Sequence, residues 1–169
     1  MRNIKLPKLR LLKEYTTHQA MLIKYITKTD GVVLEFGSGP FSTPIIHWLC
    51  AKNKRLCYTF EDDQNYYQFA RQFRSRTHKI RFVEDWDKLE FKDRYSVVLI
   101  DHITERRAID AIRLKDQADF ILLHDTEDII KNNVYGYDRV WPHFKHVYHW
   151  KDCKPWTSVV SNFYAFENN

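Results

Sequence analysis

A short apolar run that leads into a glycine-containing turn, at residues 32–43, constrains the fold of this chain more than any other stretch. Residues 32–34 are Val-Val-Leu, which is typical of a buried strand. Gly37 and Gly39 then allow a sharp turn and let a ligand approach the main chain, because glycine has no Cβ. A helix is predicted to begin near Ser42. A strand, a glycine turn and a helix in this order predict a nucleotide-binding turn of an α/β protein.

The residues around the turn argue against two common phosphate-binding sites. A dinucleotide fingerprint has a third glycine where this chain has Ser42, and the Gly-Lys-Ser/Thr of a P-loop is missing. Glu35 is the informative residue, because a carboxylate at the end of a buried strand needs a partner. We expect a cation there, either the ammonium group of a bound amino-acid moiety or an arginine or lysine of the chain.

Strands and helices alternate along the rest of the chain. This rhythm predicts a mostly parallel sheet with right-handed crossovers, and two final strands that form a hairpin. Before the first strand, residues 9–27 have helical spacing that is interrupted at 16–18, where Thr17 is predicted to cap the second helix. The predicted strands are 32–34, 55–60, 79–83, 95–101, 120–123, 144–150 and 157–163, and the predicted helices between them are 43–52, 64–75 and 105–115.

Acidic residues and histidines follow several of these strands. Glu61 ends the second strand, where nucleotide-binding α/β folds hold ribose hydroxyls, so it is the predicted ribose ligand. The alternative is that the acids at 61–63 cap the following helix. The fourth strand presents Asp101 and His102, and the fifth presents the pair at 124–125, His-Asp, at the same edge of the sheet. Ligands bind at that edge in open α/β sheets.

With these motifs the chain resembles the class I S-adenosylmethionine-dependent methyltransferases, whose first motif is an acidic residue followed by Gly-x-Gly after the first strand. The segments Ile-Asp-His at 100–102, Glu-Arg-Arg-Ala-Ile-Asp at 105–110 and Leu-His-Asp-Thr-Glu at 123–127 are similar to a small bacterial and viral methyltransferase-like subgroup. The resemblance implies a Rossmann-like, three-layer α/β fold with a seven-stranded, mostly parallel sheet and a C-terminal antiparallel hairpin. An N-terminal helical segment, 1–30, is expected to pack on an S-adenosylmethionine-binding domain, 31–169.

The resemblance also implies the cofactor and its contacts. S-adenosylmethionine would supply the ammonium partner of Glu35. The turn after the third strand meets the adenine in such enzymes, so Asp85 is expected to accept from the exocyclic amine and Trp86 to cover the base. His18, just before the first strand, is a weaker candidate for the cofactor carboxylate. The residues expected to bind the cofactor are Glu35, Phe36, Gly37, Ser38, Gly39, Ser42, Thr43, Glu61, Asp62, Asp85, Trp86 and Asp101.

The expected catalytic residues are Asp101, His102 and Asp125, and two mechanisms stay open. His102 is a candidate general base, since the unperturbed pKa of histidine lies near neutrality. Alternatively, Asp101 and Asp125 bind Mg²⁺, which would promote ionisation of a substrate hydroxyl. Asp125 as a helix N-cap and His124 as a core histidine are the structural alternatives. The subgroup implies a small hydroxylated or sugar-like acceptor, and Arg106 or Arg107 is a candidate ligand for an anionic one.

Charge and composition bear on partners. The formal net charge is +5, and a basic N-terminal arm carries much of the excess. A solvated arm is the preferred interpretation; an RNA-binding or RNA-modifying protein is the alternative function, and a non-catalytic S-adenosylmethionine-binding protein is another. The three cysteines form no C-x-x-C pair, and no apolar run is long enough to span a membrane, so we expect a cytoplasmic protein with no membrane partner. A homo-oligomer is possible.

Overall fold

A seven-stranded sheet forms the centre of the protein in a computed structural model that describes residues 12–127 and 134–166. The strand order is β3-β2-β1-β4-β5-β7-β6. The basic arm of the sequence, Arg2 to Arg10, lies outside the described residues. The strands are β1 (Val32–Phe36), β2 (Cys57–Glu61), β3 (His78–Phe82), β4 (Tyr95–Ile100), β5 (Ala118–His124), β6 (His146–Trp150) and β7 (Thr157–Ser161).

The directions of the strands confirm the predicted architecture. Strands β1 to β5 pair in parallel, whereas β7 is antiparallel to both β5 and β6. The sheet is therefore mostly parallel and ends in an antiparallel hairpin. The predicted strand positions are correct to within two residues at most of their ends.

Four α-helices that lie wholly within the described residues flank the sheet: α1 (Gln19–Lys28), α2 (Thr43–Lys52), α3 (Gln64–Ala70) and α4 (Arg107–Arg113). The helix predicted at 64–75 ends at Ala70 and continues only as a 3₁₀ turn, Arg71–Phe73. Ahead of α1 there is a 3₁₀ turn, Lys13–Thr16, so the interruption predicted at 16–18 is present. Among the described helices, none combines the length and the apolar character that crossing a membrane requires.

The two faces of the sheet have separate cores, because successive residues of a strand point to opposite faces. On the first face, α1 and α2 pack on side chains such as Val33, Val97 and Leu99. On the second face, α4 packs on their sequence neighbours, including Leu34 and Val98. Since α1 shares the first core with β1 and α2, the segment before the glycine turn is part of the structure that holds that turn.

The strand order reverses beside β1, which lies between β2 and β4. The Phe36 carbonyl, at the end of β1, accepts from the Asp101 amide at 2.8 Å, and the Gly37 amide donates to the Phe60 carbonyl at 3.0 Å. These bonds fix the carboxyl ends of three neighbouring strands against one another. A reversal of this kind opens a crevice at those ends, which is where ligands bind in open α/β sheets.

Arg55, in the loop before β2, ties the amino ends of the sheet together. Its side chain is buried and donates to the carbonyls of Ile26 at 2.5 Å, Thr29 at 2.6 Å and Gly31 at 2.9 Å. It also donates to the Ser96 hydroxyl at 2.9 Å. One guanidinium therefore connects the end of α1, the start of β1 and the start of β4.

We expect Arg55→Met to lower the free energy of unfolding by about 2–5 kcal/mol, because it leaves several buried carbonyls without a donor. Urea unfolding followed by circular dichroism measures the change. Arg76→Met is the matched control: this arginine is exposed in the loop before β3, so its replacement should change stability by less than about 0.5 kcal/mol. Equal unfolding midpoints for the two variants would contradict the role assigned to Arg55.

Candidate functional site

A cavity of about 370 Å³ lies at the carboxyl ends of β1, β2, β4 and β5, and we call it the carboxyl-end pocket. It occupies the crevice beside the reversal in strand order. Its lining residues are Tyr15, His18, Gly37, Ser38, Gly39, Pro40, Phe41, Ser42, Glu61, Asp62, Asp63, Tyr66, Asp101, His102, Ile103, Arg107, His124, Asp125 and Tyr135. Another cavity, of about 400 Å³, lies near Gly31, Ser96 and Phe120 at the amino ends of the strands. That edge of a parallel sheet is not the one that binds ligands in this class of fold.

The glycine turn forms one wall of the carboxyl-end pocket. Gly37 has a positive φ of 82°, and a Cβ built on it would lie 2.5 Å from the Asp101 carbonyl oxygen. The next amide, that of Ser38, donates to Glu61 at 2.6 Å, and the Gly39 amide donates to the Thr43 hydroxyl at 3.0 Å. The turn is therefore packed directly against the end of β4 and fixed by side chains of β2 and α2.

Glu35 lies behind this turn and does not line the pocket. It is fully buried and accepts hydrogen bonds from Thr43 at 3.0 Å and Thr59 at 2.6 Å, with Ser42 as a further partner. Burial raises the pKa of Glu35 to about 8, so the side chain is mostly a neutral acid at neutral pH. No arginine or lysine among the described residues pairs with Glu35. A protonated carboxyl group is satisfied by hydroxyl partners and does not need a cation.

Glu61 lines the pocket, as predicted, but its carboxylate already has four donors from the chain. One oxygen accepts from the amide and hydroxyl of Ser38 at 2.6 and 2.8 Å, and the other from the amides of Asp62 and Asp63 at 2.9 and 2.8 Å. Asp63 caps α3, as the alternative interpretation of these acids expected. Asp62 accepts from the Trp86 indole through Oδ2 at 3.1 Å, and its Oδ1 has no described hydrogen bond.

The two residues expected at the adenine, Asp85 and Trp86, do not line the pocket. Asp85 is at the surface, where it accepts from the Asp87 amide at 3.0 Å and pairs with Lys88. The Trp86 ring is buried against Phe36, with 5.3 Å between ring centroids. Burial of an indole ring against apolar neighbours stabilises the fold more than exposure of the ring in an open crevice would. Of the other predicted cofactor residues, Phe36 and Thr43 are also buried behind the lining.

His102 does not support the general-base hypothesis. Its side chain has no exposed surface, and Nε2 lies 2.9 Å from Asp110, which is also fully buried. The ring packs on Trp86, with 4.4 Å between centroids, and burial lowers the pKa of His102. The side chain belongs to the core below the pocket. A general base must reach the substrate, and a buried ring does not, so the prediction of His102 as the base is wrong.

Asp101 and Asp125 do meet at the pocket, but a cation of the chain joins them. Arg107, on α4, donates to Asp101 and to Asp125, each at 2.9 Å. Burial disfavours ionisation of Asp101, but His124 and Arg107 outweigh it, so the pKa of Asp101 lies well below its usual value. The guanidinium occupies the position between the two carboxylates that the Mg²⁺ hypothesis gave to the ion, so the structure does not support that pair. Arg107 is equally unavailable as a free ligand for an anionic acceptor.

Arg106 is the other predicted anion ligand, and it is also occupied within the chain. It pairs with Asp87 at 2.7 Å and with Asp110 at 3.1 Å. Both candidate arginines therefore neutralise acids of the protein.

Two buried histidines, His18 and His124, line the pocket, and the sequence interpretation gave them minor roles. His124 Nδ1 is 3.3 Å from Asp101, and its Nε2 is 2.9 Å from the Thr17 hydroxyl. Burial opposes protonation of His124, but Asp101 and Asp125 outweigh it and raise its pKa. His18 packs edge-on against His124, with 4.9 Å between ring centroids. The predicted cap at Thr17 is wrong, since its hydroxyl turns towards the pocket.

Comparison with known proteins places this geometry in a fold. No family model matches the chain, and no curated protein matches it either. Solved structures do match. A proposed O-methyltransferase from Klebsiella pneumoniae has a TM-score of 0.64 and 14% identity, covering 94% of this chain and 84% of that chain. Cofactor-bound Rv0187 from MTB has a TM-score of 0.64 and 16% identity, covering 95% and 85%.

A third relative is human METTL16. Its N-terminal domain, solved in complex with SAH, has a TM-score of 0.62 and 14% identity, covering 93% of this chain and 73% of that chain. The catalytic domain of the same protein has also been solved with an RNA hairpin. Such matches, together with the strand order, show that the chain has the class I methyltransferase fold. At these identities they show the fold alone.

Proposed function

We propose that this chain is an S-adenosylmethionine-dependent methyltransferase that methylates a hydroxyl group of a small, sugar-like acceptor. The observation that carries the proposal is that one pocket, at the reversal of strand order, combines the glycine turn with Glu61 and Asp62 at the end of β2 and Asp101 after β4. This is the position at which nucleotide-type cofactors bind in α/β folds. The fold shared with a domain solved with SAH supports the choice of cofactor.

In this proposal the cofactor lies along the carboxyl ends of β1, β2 and β4. The free Oδ1 of Asp62 accepts from a ribose hydroxyl. Glu61 contributes indirectly, because it accepts from Ser38 and so fixes the glycine turn in place. Tyr66 and Ile103, which line the pocket where Trp86 does not, provide the apolar surface for the adenine. Gly39 allows the cofactor to approach the main chain.

The acceptor would lie at the β4–β5 side of the pocket. S-adenosylmethionine would supply an electrophilic methyl group to the hydroxyl oxygen of the acceptor and would leave as the thioether, and the hydroxyl proton would pass to solvent water. Asp101 is a permanent anion with one oxygen free of described hydrogen bonds, so it can accept from the hydroxyl and orient its lone pair. With so low a pKa it is a weak base, which makes positioning its main contribution.

An RNA substrate is the second candidate, favoured by the +5 charge and by the hairpin complex of METTL16. The pocket argues for the small acceptor, because five carboxylates line it against the single guanidinium of Arg107 among the described residues. Such a lining repels a polyanion near the reacting centre.

Titration calorimetry with S-adenosylmethionine and SAH tests the cofactor assignment. Asp62→Asn should weaken binding about tenfold or more, since it weakens a hydrogen bond to a charged acceptor. Asp85→Asn is the matched control and should leave the affinity unchanged, because Asp85 lies outside the pocket. No binding by the unchanged protein would overturn the proposal, and cofactor binding without methyl transfer to hydroxylated sugars would overturn its catalytic part. Salt-dependent RNA binding with methylation of that RNA would favour the second candidate.

A further inference from the structure

A buried histidine without hydrogen-bond partners lies beside the acidic centre of the pocket. His18 is only 2% exposed, and neither ring nitrogen makes a hydrogen bond, although the Phe41 carbonyl interacts weakly with it. A buried imidazole without partners costs free energy, so its retention calls for an explanation. The side chains within reach are Asp101 and His124, and one ligand atom from each of the three residues lies within 4.8 Å of the other two.

We infer that His18, Asp101 and His124 bind one divalent transition-metal ion of the Zn²⁺ type. Two imidazoles and one carboxylate are a donor set that suits such ions. Tetrahedral ligands about 2.0–2.1 Å from an ion are about 3.4 Å apart, so no two of the three atoms need to approach each other by more than roughly 1.4 Å. The Asp101 side chain is 23% exposed and can rotate to provide this.

The surroundings of His124 orient it for this role. Its Nε2 is 2.9 Å from the Thr17 hydroxyl, which in turn donates to the Glu14 carbonyl at 3.3 Å. A hydroxyl that donates to a carbonyl is free to accept from Nε2–H, which leaves Nδ1 directed at Asp101. An oxygen that is not itself a ligand but accepts from the N–H of a ligating histidine is a regular feature of metal sites.

Charge also favours an ion here. Asp101, Asp125 and Arg107 together carry a net charge of −1 when the histidines are neutral, so a divalent ion is attracted to the cluster. Arg107 Nη2 and His124 Nδ1 both contact Oδ1 of Asp101, at 2.9 and 3.3 Å, so its other oxygen, Oδ2, has no described hydrogen bond and is open to an ion. This site differs from the Mg²⁺ pair of Asp101 and Asp125, since His18 and His124 take the place of Asp125 as ligands. The class of ion differs as well, because Mg²⁺ requires oxygen ligands.

Three protein ligands leave at least one coordination position for a water molecule or a hydroxyl group. The inference concerns binding of the ion and does not depend on the proposed methyl transfer, so it is tested without the cofactor. Loss of methyl transfer with Zn²⁺ binding intact would affect the proposed function alone.

The test is competition between the purified full chain and a chromogenic zinc chelator, with Zn²⁺ as the only ligand. We expect one ion per chain, with an affinity that 10-fold excess Mg²⁺ does not change. His18→Phe keeps the ring volume and removes both unsatisfied nitrogens, so it should bind Zn²⁺ at least tenfold more weakly. Without metal, its melting temperature should be no lower than that of the unchanged protein.

A control and a second variant keep the result interpretable. His143→Ala removes an exposed histidine away from the pocket and should leave the affinity unchanged. Thr17→Val should weaken binding without removing a ligand. The inference is overturned if the unchanged chain binds no Zn²⁺, or if His18→Phe binds it as tightly as the unchanged chain.

Discussion

Gly37→Ala is expected to destabilise the protein by more than about 2 kcal/mol and to abolish cofactor binding with it. Two effects add. The backbone has a φ of 82°, which costs a residue with a side chain energy, and the new Cβ would lie 2.5 Å from the Asp101 carbonyl oxygen and 2.7 Å from the His102 amide nitrogen. Both contacts are to main-chain atoms, so relief requires β4 to move away from β1. Thermal unfolding and urea titration measure the change.

Gly39→Ala separates the structural use of glycine from the functional one. A Cβ at Gly39 would meet only the Ser42 hydroxyl, at 3.7 Å, which is an ordinary contact. Stability should therefore change by less than about 0.5 kcal/mol. If the cofactor passes over this turn, the added methyl group should weaken S-adenosylmethionine binding about tenfold or more. A stable Gly37→Ala, or a destabilised Gly39→Ala, would contradict the geometry assigned to the turn.

The sequence predicted the fold well because the fold depends on local and periodic signals. The run at 95–101 and the glycine turn mark β4 and the end of β1, and both are where the sequence predicted them. The alternation of strands and helices then leaves few arrangements of a parallel sheet. The helix predicted at 64–75 is shorter because a helix end depends on contacts outside it.

The site was less predictable, since position after a strand does not determine where a side chain points. Asp101 and His102 are neighbours in sequence, yet Asp101 lines the pocket and the His102 ring joins the core. Trp86 likewise packs inward. His18 comes before α1 and reaches the pocket only through tertiary packing against His124. The available signal was a histidine beside Thr17 at an interrupted helix, and it did not distinguish a cap from a pocket residue.

Glu35 shows how burial changes a prediction made from charge. When a carboxyl group is buried without a cationic partner, its pKa rises and it becomes protonated, because this costs less free energy than burying an unpaired charge. The folded-state pKa of about 8 exceeds the usual 4.5 because burial outweighs the hydrogen bonds from Ser42, Thr59 and Thr43, with a further rise from the nearby Glu61. Thr59 also contacts the His78 ring, at 2.8 Å.

This shift sets the direction of a pH effect. Between pH 4.5 and 8 the unfolded chain has lost the Glu35 proton and the folded chain keeps it, so the folded state binds more protons. The stability contributed by Glu35 is therefore complete below pH 4.5 and is lost as the pH rises towards 8. The loss is at most about 1.4 kcal/mol per pH unit.

We expect Glu35→Gln, which keeps the size and the neutral character, to remove this slope. The measurement is the difference in unfolding free energy between the unchanged protein and the variant from pH 5 to pH 8. Glu61, with its pKa raised by burial to about 7, and His78, with its pKa lowered by burial to about 4, titrate in both proteins, so their effects largely cancel. Glu105→Gln, at an exposed position, should give a curve parallel to that of the unchanged protein. Parallel curves for Glu35→Gln as well would mean that Glu35 is ionised in the folded state, and the search for its cation would resume with the ammonium group of the cofactor.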